Sequence, residues 1–231
     1  MNSTYSFRGS DYTKLYKNFE TVKIDKCISC KNSNLENWVS FNGFNADKCK
    51  ECNLIFMNPQ LNEEGIKEFY KNYIGKTRLN NNIKMKQRSI QYKMDVELIT
   101  KFIQEGSVLD IGCSGGYFLK EIPGKFEKYG TEIDPFSINL ARKNLKINQN
   151  NLYLGNVLNC PFDESYFDLI TMRGVIEHVT NPEEVLKKIS SLIKPRGLFY
   201  ICATPNGESF AAKLYKQNWN LFHPIEHLWH F

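Results

Sequence analysis

Val108-Leu109-Asp110-Ile111-Gly112-Cys113-Ser114-Gly115-Gly116-Tyr117-Phe118-Leu119 passes from an apolar run, through a cluster of small residues, straight into a second apolar run. The first run has the texture of a strand buried on both faces, and the second that of a helix. A glycine turn at the carboxyl edge of such a strand lets backbone approach a ligand closely, where a side chain on every residue would block it. Glu132 follows 20 residues after Gly112, at the end of the next apolar run. A carboxylate there can accept hydrogen bonds from both hydroxyls of a ribose. Strand, turn, helix and acid together imply an adenosine-containing ligand. A dinucleotide site would need a further glycine to bring the helix terminus against a pyrophosphate, and here Gly116 is followed by Tyr117, Phe118 and Leu119. Bulky residues at that helix start suit a ligand without phosphates.

On either side of this stretch, apolar runs near 107–111, 127–132, 151–155, 167–172 and 197–203 alternate with amphipathic stretches near 116–122, 135–147 and 182–193. Alternation of this kind predicts an α/β, Rossmann-like doubly wound sheet covered by helices on both faces. Four segments arrive in order: VLDIGCSGGYFL, YGTEIDP, LGNVLNCPFDESYFDLITMRGVIEHV and LIKPRGLFYICATPN. Together they resemble the class I S-adenosylmethionine (SAM)-dependent methyltransferases over about residues 85 to 231. The resemblance implies that Asp110, Gly112, Cys113 and Gly116 line the methionine part of SAM, that Glu132 holds the ribose and that Ile133 packs on adenine. Asn156, beside Val157, stands where the family usually has an aspartate that accepts a bond from the adenine amine. Ser114 replaces the middle glycine of the family turn, and Arg173 and Gly174 are expected to face the methionine and its methyl group.

Ahead of this region, Cys27-x-x-Cys30 and Cys49-x-x-Cys52 are separated by eighteen residues. Two CxxC turns at that spacing suit a closed four-thiolate zinc site, which holds structure and leaves no position for a substrate. Cys113, Cys160 and Cys202 sit among apolar neighbours and read as small buried residues. A zinc module followed by this domain resembles, more loosely, the sugar C-methyltransferases and related small-molecule methyltransferases. That resemblance rests on the cysteine frame and on two Glu-His pairs, Glu177-His178 and Glu226-His227. It implies an acceptor that is a sugar or glycan precursor, with His227, supported by Glu226, as the general base and His178 as its rival. Imidazole suits such a role because it titrates near neutrality. His223 and His230 have weaker claims, and a metal-binding histidine cluster can also be read there.

The expected division is 1–60 for an N-terminal arm and zinc ribbon, 61–104 for linking helices, and 105–231 for the methyltransferase domain. The linking helices are expected near Glu63 to Tyr73 and Lys84 to Gln104, the second carrying Ile90, Met94, Leu98 and Phe102 at helical spacing. Only 27 residues follow Thr204, too few for the helix and hairpin that normally complete the sheet. Its last strands are therefore expected to be missing, with either a longer chain or a partner at the open edge. A 42% hydrophobic and 24% charged composition excludes a disordered chain. Neither a membrane-spanning run nor a signal-peptide core is read from the sequence, and a cytoplasmic location is expected. The net charge of +5 comes from scattered lysines, so nucleic acid is not the expected partner. Two alternatives stand beside the small-molecule reading. One is an rRNA or tRNA methyltransferase whose ribbon grips RNA through Lys23, Lys26, Lys31, Lys48 and Lys50, and the other is a non-catalytic SAM-binding or zinc interaction module.

Overall fold

A computed structural model describes residues 19–41, 43–72 and 82–231, so the expected N-terminal arm up to residue 18 lies outside the described residues. The first part of the chain forms β1 (Thr21–Val22), β2 (Leu35–Phe41), β3 (Phe44–Cys49), β4 (Ile55–Met57), β5 (Gln60–Leu61) and α1 (Glu63–Asn72). Then come α2 (Asn82–Ile99), β6 (Gly106–Ile111), α3 (Tyr117–Glu121), β7 (Phe126–Glu132), α4 (Pro135–Asn144), β8 (Leu152–Leu154) and β9 (Phe167–Arg173). The remainder forms α5 (Pro182–Leu192), β10 (Ile193–Cys202), α6 (Phe210–Tyr215) and β11 (Trp229–His230). The chain divides into two compact units. Of the described residues, one comprises 82–175 and 184–202, and the other 19–41, 43–72, 176–183 and 203–231.

The first of these, the sheet unit, holds a five-stranded parallel sheet in the order β8-β7-β6-β9-β10. This is the α/β methyltransferase fold. Strand order reverses at β6, and in such sheets ligands bind outside the carboxyl ends at that switch point. Val108 and Leu109 on β6 and Leu169 and Ile170 on β9 are fully buried, which is why these strands read as unbroken apolar runs. Asp134 caps α4 by accepting hydrogen bonds from the Phe136 and Ser137 amides, and Pro135 sits in the first turn, where its missing N–H costs nothing. In β10 the register slips between Ile193 and Leu198, spanning Pro195, and regular pairing starts at Leu198. A proline is tolerated there because β10 lies at the sheet edge.

The apolar residues that mark α2 in the sequence are not the ones it buries. Ile90, Met94, Leu98 and Phe102 are 63%, 64%, 45% and 74% exposed, whereas Val96 and Ile99 are buried and Tyr92 packs against the core. Two apolar stripes compete on this helix, and only packing against α3 and the sheet selects between them.

The second, or ribbon, unit contains a four-stranded antiparallel sheet in the order β11-β4-β3-β2, with β1 paired to β5 beside it. Residues 203–231 therefore contribute β11 to the ribbon sheet rather than a strand to the parallel sheet. Trp229 anchors the segment: fully buried, it packs on Phe56 at 5.9 Å and donates its indole N–H to the Val179 carbonyl at 2.7 Å. Trp219 and Phe222 are also buried within this unit. The compact units are thus drawn differently from the sequence-based boundaries at 60 and 104. Among the described residues, no helix is long and apolar enough to cross a membrane.

Candidate active site

Between β6 and α3 the chain turns through Gly112, Ser114 and Gly116, all with positive φ (70°, 49° and 74°). The Gly112 and Cys113 amides both donate to the Thr131 carbonyl at 2.9 Å, tying the turn to β7. Gly116 is required twice over. A Cβ at that left-handed position would stand 2.7 Å from Leu145 Cδ1 on top of the conformational cost. Glu132 closes the turn from the other side: one carboxylate oxygen accepts the Ser114 amide and the other the Asp134 amide, each at 2.9 Å. Burial raises the Glu132 pKa, and the amide bonds oppose that rise. Ser114 at the family's glycine position thus supplies the amide that orients the acid. Ile133, next along, is half exposed and free to pack on a flat ring.

Asp110 is buried, accepts a 2.7 Å bond from the Thr171 hydroxyl on the adjacent strand, and is pushed by burial up to about 7. Asn156 is exposed and uses its side-chain carbonyl to cap the short helix at Val157–Asn159, accepting from the Leu158 amide at 3.0 Å. Val157 is buried.

Arg173, at the end of β9, is held rather than loose. Its guanidinium pairs with Asp95 of α2, at 2.8 Å from Nε and 2.5 Å from a terminal nitrogen, and lies over the Tyr92 ring at 4.6 Å. The Tyr200 hydroxyl donates to the other Asp95 oxygen at 2.8 Å. Sequence reasoning missed Asp95. The available signal was an acid three residues after Tyr92 and one before Val96, on the face that α2 buries.

In the ribbon unit the two cysteine pairs converge. Cys27 Sγ lies 3.5 Å from Cys52 Sγ, Cys30 Sγ lies 3.5 Å from Cys49 Sγ, and all four sulfurs fall within 4.8 Å of one another. The two turns are built alike. Lys31 and Asn53, each just after its second cysteine, have φ of 61° and 64° and donate their amides to the Cys27 and Cys49 carbonyls. In turn the Cys27 and Cys49 amides donate to the Asn32 and Leu54 carbonyls at 2.9 Å.

The same unit gathers Glu177, His178, Glu226 and His227. Glu177 and His178 lie on the short helix Ile176–His178, and Glu177 is buried, with its pKa pushed by desolvation up to about 7. His178 Nδ1 donates to the Glu226 carbonyl at 2.7 Å, so Glu226 meets this group through its backbone. The His227 Nδ1 donates to the Leu221 carbonyl at 2.8 Å, not to the Glu226 carboxylate expected to orient it. Burial, with three neighbouring histidines, drives the His227 pKa down to about 2. Its ring is therefore neutral and a poor proton acceptor as it stands.

Residues 86–231 match the family model described as a methyltransferase domain. The chain belongs to that family. Relatives that share part of this region carry methyltransferase and carboxymethyltransferase names. A ubiquinone biosynthesis O-methyltransferase of Glaesserella parasuis serovar 5 (strain SH0165) is 30% identical over 102 residues, 41% of this chain and 43% of that protein. A tRNA U34 carboxymethyltransferase of Campylobacter curvus (strain 525.92) is 35% identical over 100 residues, 41% of this chain and 33% of that protein. The matches cover less than half the length of these two relatives. Among solved structures, one reporting a complex between the Haloferax volcanii Trm112 methyltransferase activator and a methyltransferase shares the fold. Its TM-score is 0.50 and its identity 18%, over 66% of each chain.

Proposed function

We propose that this protein transfers a methyl group from SAM to a small molecule, with a sugar or glycan precursor as the acceptor class. The observation that carries the donor side is the Ser114–Glu132 clasp at the carboxyl end of β6, where the strand order reverses. The Glu132 oxygens each accept one backbone amide and keep lone pairs for two ribose hydroxyls. Ile133 and Asn156, with Val157, are assigned to the adenine. Asp110, Gly112, Cys113, Gly116 and Arg173 are assigned to the methionine end. SAM supplies a methyl carbon already activated by a sulfonium, so the residues around it have only to align the nucleophile and let its proton leave. On the acceptor side we assign His227, His178 and Glu226. Calorimetry tests the donor assignment: the wild type is expected to bind SAM, and Glu132→Ala to weaken binding by about 1 to 3 kcal/mol through lost charged hydrogen bonds. Equal affinities would remove the ribose role.

The four thiols fit zinc. A tetrahedron with Zn–S bonds of about 2.3 Å has S···S edges of about 3.8 Å, close to the 3.5 Å pairs between the two turns. Cys27, Cys30, Cys49 and Cys52 would hold the ion as a structural centre that fixes β2, β3 and the two turns.

The tRNA-modifying relative keeps an RNA acceptor as a second reading. Against it, four of the five ribbon lysines are paired with acids. Lys23 pairs with Asp25, Lys31 with Glu183, Lys48 with Glu208 and Lys50 with Glu36. Lysines committed in this way present little net positive field to phosphates.

A further inference from the structure

All four histidines of the chain gather in the ribbon unit, although His178 precedes the other three by 45 residues or more. The His227 ring lies 4.9 Å from His178, 4.8 Å from His223 and 6.0 Å from His230, centroid to centroid. Polar rings are costly to collect in a buried site unless the arrangement serves something. One donor atom from each of Glu177, His178 and His227 lies within 4.8 Å of the other two, and His178 Nε2 stands 3.9 Å from a Glu177 oxygen.

A backbone carbonyl can only accept, so the bonds to Glu226 and Leu221 place the proton on Nδ1 in the His178 and His227 rings. The lone pair of each is then on Nε2. Metal-ligating histidines are held in this way: the nitrogen facing away from the ion donates to a carbonyl, which fixes the tautomer and the ring plane. Beside them Glu177 is 2% exposed; one carboxylate oxygen accepts from the Thr204 hydroxyl at 3.4 Å, and the other, 3.9 Å from His178 Nε2, is placed where a bound cation would stabilise its charged form.

We propose that Glu177, His178 and His227 form a second metal centre, separate from the cysteine site, that binds one divalent ion of the zinc, cobalt or iron(II) type. Two imidazoles and one carboxylate are a donor set for such borderline ions. Around an ion at about 2.0 to 2.2 Å, tetrahedral ligand atoms lie about 3.3 Å apart, so the 3.9 Å pair has to close by only about half an ångström. Three protein donors leave at least one coordination position for an oxygen ligand. If the acceptor assignment holds, that ligand is an acceptor hydroxyl whose pKa the cation lowers, so that its proton passes to solvent water as the oxygen takes the methyl group, and His227 serves as a ligand rather than as the base.

The experiment uses the full chain with its thiolate site loaded with zinc, titrated with Co²⁺ and followed by visible absorption. The expected result is one equivalent of Co²⁺ with d–d bands and no sulfur-to-cobalt charge transfer. Glu177→Gln and His227→Gln are each expected to weaken it by about tenfold or more while keeping one zinc per chain, which reports an intact ribbon unit. Absence of Co²⁺ binding by the wild type at millimolar concentration would overturn the proposal, as would unchanged affinity in both zinc-retaining variants. X-ray absorption at the cobalt edge of the wild type decides the matter without any variant. Two imidazoles and oxygen support the site, and sulfur scattering refutes it. SAM affinity, measured in parallel, separates a failure here from a failure of the donor assignment.

Discussion

In the sheet unit, the residues from Asp110 to Glu132 that build the turn and its acid occupy 23 consecutive positions, and short-range geometry explains almost all of them. In the ribbon unit, the cysteines, the Glu177-His178 pair and the His223–His230 segment come from three stretches spread over two hundred residues. The first arrangement is held by strand register and a tight turn. The second brings four cysteine sulfurs together and is held by strand pairing and by a tryptophan that ties the 203–231 segment to β4 through Phe56. A site made of contiguous chain needs the strand to form and little else. A site made of distant segments needs a fastener for each segment, so its failure modes are global within its unit.

Removing a fastener should separate the two regions most sharply at the cysteines. Cys49→Ser is expected to abolish zinc binding, as read by elemental analysis, and to unfold the ribbon unit, because structural zinc binding supplies folding free energy of about 10 kcal/mol in small modules. Full zinc occupancy in this variant would refute the centre. If SAM affinity collapsed along with the zinc, the two regions would not be separable folding problems.

A smaller effect, about 3 to 5 kcal/mol, is expected from Trp229→Ala, which empties a fully buried site and removes the bond to the Val179 carbonyl. Urea unfolding monitored by hydrogen exchange should show β4 and β11 losing protection while β6 and β7 keep theirs. Equal loss in both sheets would break the comparison.

The smallest effect, taken per pH unit, is a slope to which Asp110 of the sheet unit and Glu177 of the ribbon unit both contribute, because burial raises each carboxyl to about 7. Burial raises the folded-state pKa of Asp110 to about 7, above the ordinary carboxylate value, so the folded state binds more protons than the unfolded one between about pH 4 and 7. Its contribution to stability is therefore present below about pH 4 and declines as pH rises through that window, at no more than about 1.4 kcal/mol per pH unit. Asp110→Asn should lessen this slope in thermal melts taken from pH 4 to 7, and an unchanged slope would show that the carboxyl is better solvated than its burial indicates.

The legibility of each feature follows the same division. β6, the turn, Glu132 and the strand alternation were readable because a doubly buried parallel strand and a glycine turn leave compositional marks within a dozen residues. The face that α2 buries was not readable, since Ile90, Met94, Leu98 and Phe102 and the alternative set of Tyr92, Val96 and Ile99 both keep helical spacing. Nor was the partner of Arg173, because an aspartate 78 residues away carries no local sign of the cation it will meet. The Glu226–His227 pair suggested an orienting carboxylate, yet the ring is oriented by the Leu221 carbonyl. Every residue has a carbonyl, so such an acceptor leaves no trace in the side chains.

What the sequence by itself determined is the order of strands and helices, the glycine turn with its acid, and the two CxxC turns, all governed by interactions spanning a few residues. Only the tertiary structure decided that residues 203–231 complete the ribbon sheet, that Asp95 holds Arg173, and that Glu177, His178 and His227 meet. Those outcomes depend on which buried surfaces pair across long loops. Burial free energy scales with apolar area and is indifferent to sequence separation, so one strand cannot announce its partner.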